Sequence, residues 1–320
     1  MKKYLKNQIN IIKISFILIV SLGNVGQIHA QQDAQYTNYM YNTIAINPAY
    51  AGTRDAVSIF GLHRNQWIGL DGAPVTNVAS IHMPITNSKL GLGLSFVNDQ
   101  IGPSTENVIS TDVSYRFQVS ENSTLAFGIK GSANLLNVDY SKLSIGDMTD
   151  NEFQNNVDNR FTPNIGAGIY WFTEKYYIGL SVPNFLETTH FDKKAQSLAT
   201  SSVASERMNL YLIGGYVFDL SPSTKFKPAL ITKMVNGAPL QIDATANFMI
   251  NDKFIIGAAY RWSASVSGLL GFQINKGLLI GYSFDAETTN LSNYNSGSHE
   301  IFLRFELFKN NDNVYSPRFF

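Results

Sequence analysis

"NFMINDKFIIGAAYRW", Asn247 to Trp262, alternates with a period of two on either side of a short polar break. Phe248, Ile250, Phe254, Ile256, Ala258, Tyr260 and Trp262 share one parity, and Asn247, Met249, Ile255, Gly257, Ala259 and Arg261 share the other. Successive side chains of a strand point to opposite faces, so the stretch reads as strand, turn, strand. In a soluble sandwich the apolar face turns inward. In a barrel embedded in a membrane it turns out to lipid, and the rest of the chain decides between the two.

Of the 320 residues only 15% are charged, where a soluble domain carries about a quarter, so part of the surface is expected to face something other than water. Lys+Arg and Asp+Glu balance at 24 each, which leaves no net field to attract nucleic acid. The N-terminus reads as a cleaved secretion signal, residues 1–30. Lys2, Lys3 and Lys6 form its basic region, Ile14 to Leu22 its apolar core, and Ala30 precedes the expected cleavage site. There is no cysteine, which excludes disulfides and a lipid-modified cysteine. Beyond the leader no apolar run approaches the ~20 residues of a spanning helix, so any membrane crossing is made by strands.

From about Thr53 the chain is a succession of alternating segments near the ~10 residues of a tilted membrane strand. Leu90, Leu92, Leu94 and Phe96 oppose Gly91, Gly93, Ser95 and Val97; Leu240, Ile242, Ala244 and Ala246 oppose Gln241, Asp243 and Thr245. About fourteen such segments fit between residues 54 and 308. Every second connection is short and polar ("PITNSK", "QVSENS", "TEK", "LSPST", "ND", "NK"). The intervening ones tend to be longer, as at Asn65 to Ala73, Asn98 to Glu106, Asp139 to Arg160, Pro183 to Glu206 and Ala286 to Gly297. Sandwiches and propellers do not predict loop lengths that alternate in step. The fold class is therefore all-β, a transmembrane antiparallel β-barrel of about 14 strands, in the outer membrane, with long loops extracellular and both termini periplasmic. The Phe248, Ile256 and Trp262 face meets lipid, and the register sets Asp243 opposite Arg261 as an ion pair in the lumen.

Two tails flank the barrel. Residues 31–53 are too polar and broken for a strand. Tyr36, Tyr39 and Met40 at helical spacing, with Pro48 ending any helix, suggest a short periplasmic helix over the barrel mouth or wall. Residues 309–320 form a periplasmic C-terminal tail. Catalytic signals are weak. His63, His82, His190 and His299 are scattered, and His82 and His299 read as lumen or rim residues. Asp147, Asp150, Glu152 and Asp158 share a loop whose spacing is no calcium motif. The pairs Gly91/Gly93 and Gly166/Gly168 read as small lumen or wall residues, not phosphate cradles. No enzymatic activity and no cofactor or metal is expected.

The blocks "NPAYAGTRDA", "HRNQWIGLDGAP", "GLGLSFVNDQIGP", "YYIGLSVPNFL", "KPALITKMVNGAPLQIDATANF", "NYNSGSHEI" and the terminal "SPRFF" resemble, in order, the PorP/SprF family of type IX secretion outer-membrane proteins. The resemblance marks Asn47, Pro48, Tyr50, Gly52, Trp67, Gly72, Pro74, Asn98, Asp99, Gly102, Pro103, Gly237, Pro239, Tyr294, Asn295, Ser296 and Gly297 as turn, rim or register devices. It implies a non-enzymatic barrel in outer-membrane lipid that supports secretion and gliding. The implied partner is a secreted surface adhesin with a type IX C-terminal domain, or else a periplasmic secretion or peptidoglycan-binding subunit. A passive porin is the third possibility, and the absence of a single-sign charge ring argues against it.

Overall fold

The computed structural model describes residues 34–143, 156–186, 188–189, 205–206 and 208–308. The first seven strands are β1 Ala56–Asn65, β2 Val75–Pro84, β3 Leu90–Ile101, β4 Ser104–Ser120, β5 Ser123–Val138, β6 Val157–Phe172 and β7 Tyr176–Val182. Strand β8 runs as Asn209–Tyr216 and Phe218–Ser221, interrupted at Val217. Six more follow: β9 Thr224–Val235, β10 Gln241–Ile250, β11 Phe254–Arg261, β12 Ser265–Asn275, β13 Leu278–Glu287 and β14 Ser298–Phe308. Each pairs antiparallel with its neighbours in sequence, and β1 closes on β14 from Ala56↔Phe308 to Asn65↔His299. The result is a closed barrel of fourteen strands.

The opening stretch shows how local chemistry builds the wall. Asn251 and Asp252 both take positive φ, 53° and 50°, in a tight turn that Lys253 N closes on Ile250 O at 3.1 Å, so three residues separate the paired Ile250 and Phe254. That turn pairs Phe248 with Ile256 and Asp243 with Arg261. Phe248, Ile256 and Tyr260 are exposed on the outer face, Trp262 follows just past β11 at the rim, and Met249 and Ile255 are 2% exposed and point inward. The same alternation repeats around the ring, giving an outer belt that includes Leu94, Ile129, Ile178, Leu230 and Leu303. The apolar face is thus the outer one.

Two sequence expectations are corrected. Asn98 to Glu106 is not a long loop: β3 and β4 continue through it and leave only Gly102 and Pro103 as the turn. Gly102 supplies φ 54°, and its amide donates to Gly72 O at 2.9 Å. Strands β3 to β6 therefore form a tall side of the barrel.

The second correction concerns the N-terminal segment, which is neither an α-helix nor a cover outside the mouth. Residues 34–55 run through the lumen as three 3-10 turns, Tyr39–Tyr41, Thr43–Ala45 and Pro48–Tyr50. Pro48 opens the third turn instead of ending a helix, with the Asn47 side chain accepting from Ala49 N. The sequence places both termini on the short-turn side; residues 1–33 and 309–320 lie outside the described ones, and Gln35 meets Gln241 and Arg261 at the long-loop rim. Only the other end of the segment reaches the short-turn rim, where Asp55 leads into β1. The reason is burial: Tyr39, Met40, Tyr41, Ile44, Tyr50 and Ala51 bury apolar surface that the periplasm would leave wet.

Candidate functional site

The lumen segment, or plug, is fixed to the wall from top to bottom. At the long-loop end Arg261 Nε donates to Asp243 Oδ2 at 2.8 Å, while its two terminal nitrogens reach Gln35 Oε1 and Tyr36 O, each at 3.2 Å. One level down, Arg64 pairs with Asp285 at 2.7 Å and Glu300 at 3.1 Å. Those acids hold the plug in turn: Thr37 Oγ1 donates to Asp285 at 2.7 Å, and the amides of Thr37 and Asn38 donate to Glu300 at 3.0 and 2.8 Å. Thr37 and its neighbour Asn38, the N-cap, lead into the first 3-10 turn, and the wall carboxylate takes both of their amides.

Mid-barrel contacts combine stacked rings, one buried ion pair and close backbone approaches at glycines. Tyr41 stacks on Phe302 at 4.7 Å, and Phe302 on Phe60 at 5.6 Å. Lys130 Nζ, 3.0 Å from Asp112, donates to Ile44 O at 3.4 Å. Asn47 Nδ2 donates to Ile169 O at 3.0 Å. Glycines admit the chain here. A Cβ on Gly93 would strike Ile44, one on Gly128 the backbone of Pro48 and Ala49, and one on Gly168 the Asn47 side chain. Near the short-turn rim Ser114 Oγ donates to Ala51 O at 2.7 Å, Gly52 N to His82 Nδ1 at 3.2 Å and Arg116 to Gly52 O at 2.8 Å, and Arg54 pairs with Glu306.

Asn47, Pro48, Tyr50 and Gly52 therefore belong to the plug, and the remaining family-marked residues gather at the long-loop rim. Trp67 holds a left-handed backbone, φ 50°, unusual for a bulky residue. Its amide donates to Ser298 Oγ at 3.1 Å and its indole to Glu287 at 2.7 Å. The stretch Tyr294 to Gly297 clasps the Trp67 loop through Ile68 N to Gly297 O and Ser296 N to Ile68 O. Asn295 Oδ1 accepts from Gly297 N at 2.8 Å, and Tyr294 stands 70% exposed. Gly72 meets Gly102 beside Pro103, and Gly237 takes φ 81° in the β9–β10 turn. Asp99 accepts from Thr76 at 2.6 Å inside the mouth, while Asn98 bridges Asn77 and Asn107 on the outer face. These rim elements surround a vestibule of about 820 Å³ lined by Trp67, Pro74, Pro239, Leu240, Trp262 and Leu291, with Ala34 and Gln35 of the plug in its lining.

Among the described residues the histidines do not converge. His82 is buried against the plug, His63 faces outward against Asn77, and His299 faces outward against Tyr282. His190, Asp147, Asp150 and Glu152 lie outside the described residues, and Asp158 stands in β6. Gly91 and Gly93 line the lumen against the plug; Gly166 lies against Pro183 and Gly168 against Asn47. At the start of the β5–β6 loop the Ser141 hydroxyl, 2.6 Å away, holds the Asp139 carboxyl below the usual range, helped by the Ser141 amide, Lys142 and Asn156. Sequence reading missed Arg64, Asp285, Glu300, Lys130, Asp112, Arg54 and Glu306. For all but Arg54, which precedes β1, polar parity on a strand was the available signal.

A family profile described as "Type IX secretion system membrane protein PorP/SprF" matches residues 28–305. The chain belongs to the PorP/SprF family. Among curated proteins none matches. Of solved structures, the Ralstonia pickettii toluene transporter TbuX aligns at TM-score 0.50 and 10% identity over 83% of this chain and 93% of its own. The Acinetobacter baumannii outer membrane protein Omp33 aligns at TM-score 0.46 and 8% identity, over 80% and 100%. The TbuX likeness shows an outer-membrane barrel fold, and the PorP/SprF match ties this barrel to type IX secretion.

Proposed function

We propose that this PorP/SprF barrel is a non-enzymatic holder. It receives an exported adhesin, through that protein's type IX C-terminal domain, at the long-loop rim, and keeps it at the cell surface during secretion and gliding. The observation that carries the reading is the plug. A lumen occupied by residues 34–55 from rim to rim is poorly suited to passing solutes, so the surface left for a partner on that side is the vestibule and its loops. Exposed Trp262 and Tyr294 around a concave mouth suit protein recognition, since aromatic rings bring contact area at low entropic cost.

The machinery reading, docking of a periplasmic peptidoglycan-binding subunit, needs a periplasmic handle; with residues 34–55 inside the barrel it leans on the short turns and residues 309–320 alone. The test is affinity capture of the tagged protein from detergent-solubilised outer membranes. Recovery of a large adhesin with a type IX C-terminal domain, weakened by Trp262→Ser, is the expected result. Recovery of periplasmic secretion subunits with no cargo would end the holder reading.

A further inference from the structure

The plug has a direction as well as a volume. Ala34 and Gln35 lie in the vestibule at the long-loop rim, and Arg54 and Asp55 meet Glu306 and Arg116 at the short-turn rim. Partners in between follow in order along the axis: Thr37 on Glu300, Asn42 on Ser80, Ala49 at Gly128 and Gly52 on His82. Glu300 and Glu306 stand on one strand, about 20 Å apart at ~3.4 Å per residue, and the segment continues beyond them to Gln35 at one rim and Asp55 at the other.

We propose that this segment is a fifteenth crossing of the membrane, which delivers the N-terminal end of the mature chain to the compartment faced by the long loops. Ala34 and Gln35 then form part of the surface offered to a partner, a consequence that rests on the function proposed above. The crossing itself does not. Asp55 is followed at once by β1, so the chain has no room to turn back at the short-turn rim. Residues before Ala34 would have to re-enter a lumen already filled by Tyr41, Ile44 and Tyr50 to reach the other side. Ladders join every neighbouring pair of strands in the ring, so the segment is enclosed as the barrel closes or drawn through its mouth. With β14 ending at the short-turn rim, the two ends of the barrel chain face opposite compartments.

The absence of cysteine makes the test clean. Full-length single-cysteine variants Ala34→Cys, Asp71→Cys in the β1–β2 loop and Glu121→Cys in the β4–β5 turn are placed in the outer membrane. Intact cells are then treated with a membrane-impermeant maleimide. In parallel, an epitope inserted between residues 33 and 34 is probed with antibody. Ala34→Cys or the epitope is expected to be reached together with Asp71→Cys, while Glu121→Cys reacts only after the outer membrane is permeabilised. Reaction of Ala34→Cys only in company with Glu121→Cys would overturn the crossing. So would silence of both Ala34→Cys and the epitope on cells whose Asp71→Cys reacts. If Asp71→Cys itself needs permeabilisation, the orientation behind the proposed function fails, and the crossing is still judged by which of the two markers residue 34 follows.

Discussion

Gly128 has no side chain because the plug leaves no room for one: a Cβ there would strike the backbone of Pro48 and Ala49, which cannot swing aside as a side chain can. Gly268, with nothing within 4 Å of its Cβ position, is the matched control. Gly128→Val is expected to lose about 1–3 kcal/mol by overpacking, and Gly268→Val to stay within about 0.5 kcal/mol. Unfolding midpoints in detergent measure both, and equal losses would sink the cradle. Arg64 carries a second prediction. Arg64→Ala strands two buried carboxylates and is expected to cost about 3–5 kcal/mol, whereas Lys225→Ala, whose partner Asp252 is largely exposed, costs at most about 1 kcal/mol. Denaturant titration of the two variants separates them. Asp243 and Arg261 are legible in the sequence because one hairpin turn fixes their register. Arg64 and Glu300 face each other only through closure of β1 on β14, and Thr37 meets Asp285 from a segment with no period to read.

At the scale of elements, alternation is legible wherever one face meets lipid, because a one-residue slip would turn every apolar side chain into the lumen. It misleads where a strand leaves the membrane. Beyond Phe96 the outer face of β3 turns polar at Asn98 and Gln100, which reads as a loop, although the ladder with β4 continues to Ile101↔Ser104. His63, Asn77, Asn98 and Asn107 form a cross-strand polar row on the outer face, linked at 2.8, 3.2 and 2.9 Å. Polar side chains are costly in hydrocarbon and favoured among headgroups, so this row is expected to lie at the membrane boundary on this side of the barrel. A spin label at Leu94 is therefore expected to be relaxed chiefly by lipid-soluble oxygen, and one at Gln100 by a water-soluble nickel chelate. Lipid-like accessibility at Gln100 would move the boundary above the row.

For the whole molecule, the decisive feature is the apolar core inside the ring. Phe60, Leu62, Met249, Ile255, Leu269, Leu279 and Phe302 are buried on lumen-facing positions. An eight-stranded barrel fills itself with its own side chains, but a fourteen-stranded ring encloses more space than its wall can occupy. Those residues stay dry only if something else lies against them, and Tyr41, Ile44 and Tyr50 of the plug do so. The core is thus completed by a segment whose sequence looks like a loop, which is why alternation reveals the barrel and not its filling. A porin needs a wet lumen, and here solute passage would require withdrawing a segment held by Glu300 and Asp285 near one end and by Glu306 near the other. The intact protein in planar bilayers is therefore expected to show no steady conductance, and liposomes containing it no swelling in small sugars. Breaking the upper anchor with the double change Asp285→Ala and Glu300→Ala should raise the frequency of transient openings as the plug frays from the long-loop end. A steady open conductance in the unmodified protein would mean that the plug does not seat in the membrane, and the holder function would lose the observation on which it rests.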